Sequence, residues 1–252
     1  MRQGAALIPH LPSALMKAPS QRTPAMTEQE RALRQAVIDK CLWMNTSGLN
    51  QGTSGNISVR HGEQMLITPS ATAYEAMIPE MIATMPIVDA RHPDYGRWEG
   101  PLKPSTEWRF HLDILNARPD AGAIVHAHPI YCTTLAIARR PIPAVHYMIA
   151  AFGGADIRCA DYAMFGTEAL SRMALKALEG RAACLLANHG SIAVGPGLDK
   201  AMWLATELEA LAHQYFNALQ IGGGVVLSDA EIAEALGAFA GYGLQDTAPG
   251  AA

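Results

Sequence analysis

Asn56-Ile57-Ser58-Val59-Arg60 and Gln64-Met65-Leu66-Ile67-Thr68, joined by His61-Gly62-Glu63, read as two short strands closed by a tight turn. This hairpin decides the fold class. Upstream, Leu33, Val37, Leu42 and Met44 trace a helical stripe that starts at the capping-box spacing Thr27-Glu28-Gln29-Glu30 and stops at Gly48. Downstream, the patterns predict a strand at Met85–Val88, then a helix opening at Ser105 with Trp108, Leu112 and Leu115 on one face. A strand through Ala123-Ile124-Val125 to His128 follows, then a short helix at Thr133–Ala138 and a helix at Leu170–Leu178. The remaining elements are strands at Cys184–Asn188 and Ser191–Val194 and a long helix at Asp199–Leu219. A hairpin interleaved with helices implies a mixed, largely antiparallel sheet between helical layers, in contrast to an all-parallel doubly wound one. The expected fold class is therefore α/β.

The chain has 252 residues, half of them hydrophobic, enough to bury a sizeable core in one domain. No Pro/Ser linker divides its middle. Residues 1–26 carry Pro9, Pro12, Pro19 and Pro24 and few large hydrophobes, and read as a loose N-terminal extension; 27–246 read as the domain and 247–252 as a flexible tail. A net charge of −4 without a Lys/Arg run argues against a nucleic-acid partner, and no apolar stretch reaches the ~20 residues of a membrane span. Cys41, Cys132, Cys159 and Cys184 form no Cys-x-x-Cys pair, which speaks against a zinc ribbon or dithiol centre and fits the reducing cytoplasm.

The chemistry concentrates at His126-Ala127-His128. In a strand, residues i and i+2 share a face, so both imidazoles point the same way, and an open catalytic zinc site wants three protein ligands. His189, at the end of the buried run Ala183–Asn188 and before Gly190, is the natural third. Glu107 supplies a carboxylate at the helix start, where Ser105 and Thr106 are positioned to hold an anion. His111, one turn beyond Glu107, is expected to pack or to support the site from behind. His10, His61, His92 and His213 read as surface or loop residues.

Five segments, Gly52-Thr53-Ser54-Gly55-Asn56-Ile57-Ser58-Val59-Arg60, Leu66-Ile67-Thr68-Pro69-Ser70, Pro104-Ser105-Thr106-Glu107-Trp108-Arg109-Phe110-His111, His126-Ala127-His128 and Asn188-His189-Gly190, together resemble the class II aldolase/adducin superfamily. Within it the chain is most similar to the L-fuculose-1-phosphate aldolases, over roughly Thr27 to Leu244. The resemblance implies a three-layer α/β/α sandwich and a metal-dependent, reversible cleavage of a ketose 1-phosphate to dihydroxyacetone phosphate and an aldehyde through a metal-bound enediolate. His126, His128, His189 and Glu107 would hold Zn2+, or Mn2+ or Co2+ in its place. Glu107 would double as the acid/base, and Tyr147 would be a second acid/base contributed across a subunit boundary of a homo-oligomer, a tetramer. The phosphate would rest on Asn56, Gly55, Thr68, Ser70, Ser105 and Thr106, with Phe165 and Tyr242 on the aldehyde side. Two positions depart from the family pattern: Ala71, where glycine usually follows Thr-Pro-Ser, and Asn188. A positive φ at Ala71 would carry strain. The neighbouring activities within the superfamily are 5-deoxyribulose or 5-methylthioribulose 1-phosphate aldolase, sugar-phosphate 4-epimerase and decarboxylase. The intact set of ligands argues against an adducin-like scaffold without chemistry.

Overall fold

The computed structural model describes residues 26–239, so the expectations for the N-terminal extension, His10, Tyr242 and the C-terminal tail lie outside the described residues. Helix α1 (Glu28–Ser47) begins where Thr27 Oγ1 accepts the Glu30 N–H and ends on Gly48 in the left-handed region. Only half of the expected capping box forms, because the Glu30 carboxylate accepts from Arg34 instead. The buried face is Arg34, Val37, Ile38, Cys41 and Met44, with Leu33 and Leu42 at its margin.

Strands β1 (Asn56–His61), β2 (Gln64–Ile67), β3 (Ala83–Pro86), β4 (Ala123–Ala127), β7 (Cys159–Ala160), β8 (Ala183–Leu186) and β9 (Gly190–Gly195) form one sheet in the order β3-β2-β1-β4-β9-β8-β7. Every pairing is antiparallel except β7 with β8. The expected Met85–Val88 strand sits two residues earlier, since Ala83–Pro86 is the register that matches β2, and Pro86 has no N–H to carry the ladder on. A small pair, β5 (Ile142–Pro143) with β6 (Asp156–Ile157), and the 3-10 segment Tyr147–Phe152 occupy the stretch that sequence patterns left unassigned.

The strands are short, and their alternation sorts two cores. Ile57, Val59, Leu66, Val125, Leu185 and Ala193 point to one face, where they meet α1, α3 (Ile130–Ile137) and α5 (Leu198–Gln220). Met65, Ile67, Ile124, Cys184, Leu186 and Ile192 point to the other, against α2 (Trp108–Ala117) and α4 (Glu168–Ala177). The result is the three-layer α/β/α arrangement that the resemblance implied. A further helix, α6 (Asp229–Phe239), has only Ile232 well buried, too thin a stripe to stand out in the sequence. Among the described residues, no helix is long and apolar enough to cross a membrane.

On β1 and β4 the α2-facing side carries polar residues at one end: Asn56 lies opposite His126, and Ser58 opposite Ile124. That register builds the site.

Candidate metal centre and active-site cleft

His126 is the last residue but one of β4 and His128 follows it by two residues, so the pleat presents both rings on one side; their centroids are 4.8 Å apart. His189 reaches them from the turn between β8 and β9. The expected strand to Asn188 stops at Leu186 because Asn188 turns into the left-handed region (φ 54°), its N–H donating to Ala136 O and its Oδ1 accepting from Arg139 Nε at 3.0 Å. Gly190 serves space and not φ: a Cβ there would stand 2.6 Å from Ala127 O and 2.7 Å from the His128 ring. The three rings are mutually edge-on, with centroid separations of 4.8–4.9 Å, and one ligating nitrogen from each falls within 4.8 Å of the others.

Glu107 reaches the cluster from the other side. Helix α2 begins at Trp108, later than the Ser105 start expected, because Ser105 to Trp108 makes a tight turn in which Ser105 Oγ accepts the Glu107 N–H. Glu107 is thereby the residue before the helix, and its side chain turns toward β4 and is 7 % exposed. Oε2 lies 3.1 Å from His126 Nε2 and Oε1 3.2 Å from His189 Nε2, while His126 Nε2 lies 3.0 Å from His128 Nε2. Oε1 makes no hydrogen bond despite its burial.

These residues fit a divalent cation. His126 Nδ1 lies 2.9 Å from Ser191 O, a carbonyl that can only accept, so the ring proton sits on Nδ1 and the Nε2 lone pair faces the cluster. His128 Nε2 and Glu107 Oε2 face that lone pair at about 3 Å, so all three are placed to turn toward a common cation. Burial opposes charge on His126, but the Glu107 carboxylate outweighs it and raises its pKa. Burial likewise opposes the Glu107 charge, and His126 and His189 overcome it to hold the carboxyl well below the usual carboxylate range. His128, pushed down to about 3 by burial and by its two histidine neighbours, stays neutral and able to ligate. Nitrogen from three imidazoles with one carboxylate is a donor set that a divalent metal accepts.

Above the cluster opens a cleft of about 560 Å³, a size suited to a small polar ligand. Gly55, Asn56, Ser70, Ser105, Thr106 and Phe165 line it, as do Glu107, His128 and His189. Thr68 does not: its Oγ1 accepts the Ile57 N–H and its carbonyl accepts the Ser105 N–H, which ties β1, β2 and the Glu107 turn together beneath the cleft. Tyr147, 56 % exposed, stacks between His146 and Phe239 and is not part of the cleft lining of its own chain. Ala71, at the rim, has φ 51°, so the strain anticipated for a non-glycine residue is present.

Several contributors carry no sequence signal. Asn50 Oδ1 accepts the His128 N–H, and Tyr74, 24 residues further on, donates to Gly55 O while accepting from Asn50. Tyr162 and Met164 extend the apolar wall beside Phe165. His111 is completely buried, bridging Ser58 and Asn56, in agreement with a supporting role.

The family described as class II aldolase and adducin N-terminal domain matches residues 35–216, and the chain belongs to it. A 5-methylthioribulose-1-phosphate/5-deoxyribulose-1-phosphate aldolase of Rhodospirillum rubrum is 51 % identical over 212 residues, covering 84 % of this chain and 93 % of the relative. An L-fuculose phosphate aldolase of Escherichia coli O6:H1 is 49 % identical over 219 residues, covering 86 % and 98 %. A solved L-fuculose 1-phosphate aldolase structure superposes with a TM-score of 0.79 at 38 % identity, covering 86 % of this chain and all of that one. The chain is thus a class II aldolase, a carbon–carbon lyase.

Proposed function

We propose that the protein cleaves a ketose 1-phosphate reversibly between C3 and C4, giving dihydroxyacetone phosphate and an aldehyde, with L-fuculose 1-phosphate or a close analogue as substrate. The observation that carries this reading is the buried Glu107 carboxylate, its Oε1 satisfied by no hydrogen bond and 3.2 Å from His189 Nε2, beside three convergent imidazoles at the floor of a cleft walled by hydroxyls. Bound there by His126, His128 and His189, a divalent ion, zinc by its donor set, would polarise the ketose carbonyl and stabilise the charge that develops as the bond breaks. Glu107 would deliver the proton to C3 in cleavage and remove it in condensation. Its buried position favours proton transfer once a positive charge no longer pins it.

Ser70, Ser105, Thr106 and Gly55 are the groups available to the phosphate, and a hydroxyl and amide lining can hold that dianion without a cluster of arginines. Phe165, Tyr162 and Met164 would face the aldehyde portion. The proton on the C4 hydroxyl needs a second acceptor, which we assign to Tyr147 of a neighbouring subunit. Its exposure and its place outside its own chain's cleft lining support a role across an interface in a ring-shaped tetramer. The cytoplasm is the proposed site of action.

A second reading keeps the chemistry and changes the sugar to 5-deoxyribulose or 5-methylthioribulose 1-phosphate; the 51 % identity to the Rhodospirillum rubrum enzyme favours it as much as 49 % favours the first. A panel of ketose 1-phosphates, assayed for dihydroxyacetone phosphate release with and without chelator, ranks the two by kcat/KM. Absence of release from all of them in metal-loaded protein would overturn both.

A further inference from the structure

Three side chains behind Glu107 form one buried line. Ser58 Oγ lies 2.7 Å from His111 Nδ1, His111 Nε2 lies 2.5 Å from Asn56 Oδ1, and Asn56 Nδ2 donates to Glu107 Oε2 at 2.9 Å. All four residues are buried, Ser58 and His111 completely. The donors and acceptors allow one consistent direction. A carboxylate accepts only, so the Asn56 amide nitrogen must face Glu107, and its oxygen must then face His111. His111 therefore carries its proton on Nε2, and its bare Nδ1 accepts the Ser58 hydroxyl proton. Donation runs unbroken from Ser58 through His111 and Asn56 to Glu107 Oε2, each bond polarising the next.

We infer that His111 is a positioning residue for the acid/base: by fixing the Asn56 amide it holds Glu107 Oε2 in place and reserves Oε1 for the metal and the substrate proton. The inference rests on the catalytic reading of Glu107 and goes further in two ways. It separates the two carboxylate oxygens by task, since Oε2 has a dedicated donor and Oε1 has none. It also limits Asn56 as a phosphate ligand. Of its polar groups, Oδ1 and one N–H are committed, which leaves a single amide proton for anything in the cleft. His111 stacks on Phe110 at 4.6 Å, so ring position is set by packing and ring protonation by the line of bonds.

The test uses the full-length, metal-saturated protein. His111→Phe keeps the stacked ring and breaks the line; kcat should fall about 10–100-fold, the usual cost of losing a supporting bond behind a metal site, with KM for the ketose phosphate within about twofold. His111→Gln, whose amide can donate to Asn56 and accept from Ser58, should recover most of the loss. Should His111→Phe fail to fold, Ser58→Ala removes only the far end and should give a smaller kcat loss in the same sense. Long-range proton–nitrogen correlation spectra, with the His111 signal identified by its absence from His111→Gln, should show the Nε2–H form, with or without metal. Protonation on Nδ1, or a His111→Phe variant with raised KM and unchanged kcat, would overturn the inference. If Glu107→Gln retained the wild-type rate, the catalytic reading would fall instead, and the tautomer would still decide whether the line exists.

Discussion

Replacing Ala71 by glycine should make the protein more stable and leave its catalysis unchanged. Ala71 sits at φ 51° on the exposed rim of the cleft, between Ser70, whose N–H is held by Lys103 O, and Thr72, whose hydroxyl donates to Ser70 O. The bonds on either side hold the turn, so the alanine cannot relax out of the left-handed region without breaking them. That conformation costs an L-residue with a Cβ about 1–2 kcal/mol. Glycine removes the cost but gains freedom in the unfolded chain, which takes back about 0.5–1 kcal/mol. The exposed methyl group adds little burial to lose. The difference leaves a net stabilisation of about 0.5–1 kcal/mol, or roughly 1–4 °C in Tm for a chain of this size.

Differential scanning calorimetry of matched samples, loaded with the same metal, reads this directly. The strain is held by the turn's own backbone bonds, so its relief is expected to be shared by free and bound protein, and KM should stay within about twofold. A Tm that falls or does not move, together with a KM that changes severalfold, would mean that Ala71 leaves the left-handed region in solution and enters it only with substrate. The argument from stored strain would then be wrong.

Four other outcomes are expected. His126→Ala and His189→Ala should each retain substoichiometric metal after dialysis and lose activity; full activity without metal would refute the assignment of the centre. Glu107→Gln, matched for metal content, should lose about 10²–10⁴-fold in kcat and in exchange of the hydroxymethyl proton of dihydroxyacetone phosphate with heavy water, a half-reaction that needs no aldehyde and hence no Tyr147. Mixing dissociated Glu107→Gln and Tyr147→Phe subunits should restore activity if the tyrosine serves a neighbour, and an active monomer would exclude that. Finally, burial pushes His111 down to about 3 from its usual value near 6.5, so the unfolded chain binds a proton there that the folded one refuses. Its contribution to stability is complete above about pH 6.5 and is lost as pH falls toward 3, at up to about 1.4 kcal/mol per pH unit. His111→Phe should flatten the denaturant midpoint between pH 5 and 6.5 relative to wild type, and an unchanged slope would contradict a neutral buried imidazole.

The legible parts of this chain were those where a local period carries the information. His126 and His128 could be placed together because a strand alternates with period two, and the helix ends are marked at Gly48 by a left-handed conformation that few residues adopt and at Thr27 by a hydroxyl that caps the first turn. Elements defined by pairing were less legible. β3 could be displaced by two residues because its limits come from the register against β2, and β5, β6 and β7, two residues each, have no period to read. Helix α6 packs one residue deeply and leaves most of its length to solvent, so its pattern is faint. Thr68 and Asn56 look like cleft residues by their neighbours, yet Thr68 is spent on the sheet and Asn56 largely on Glu107 and His111. Such commitments are long-range bonds, invisible to spacing.

One register ties these observations together. Asn56 stands opposite His126 across β1 and β4, and Ala127 opposite Ser191 across β4 and β9. The first pairing brings the amide that orients Glu107 beside the first imidazole, and the second aims a carbonyl at that imidazole's far nitrogen. Slip β4 by one residue and Val125 and Ala127 would exchange faces with Ile124 and His126, putting a polar ring into the core that α1, α3 and α5 cover. A buried polar ring cut off from its partners is costly, which disfavours the slipped register and so places Glu107, the first imidazole and its tautomer at once. The geometry of the cluster is therefore set by the core beneath it, through residues such as Val125 and Ile124 that belong neither to the cluster nor to the cleft lining.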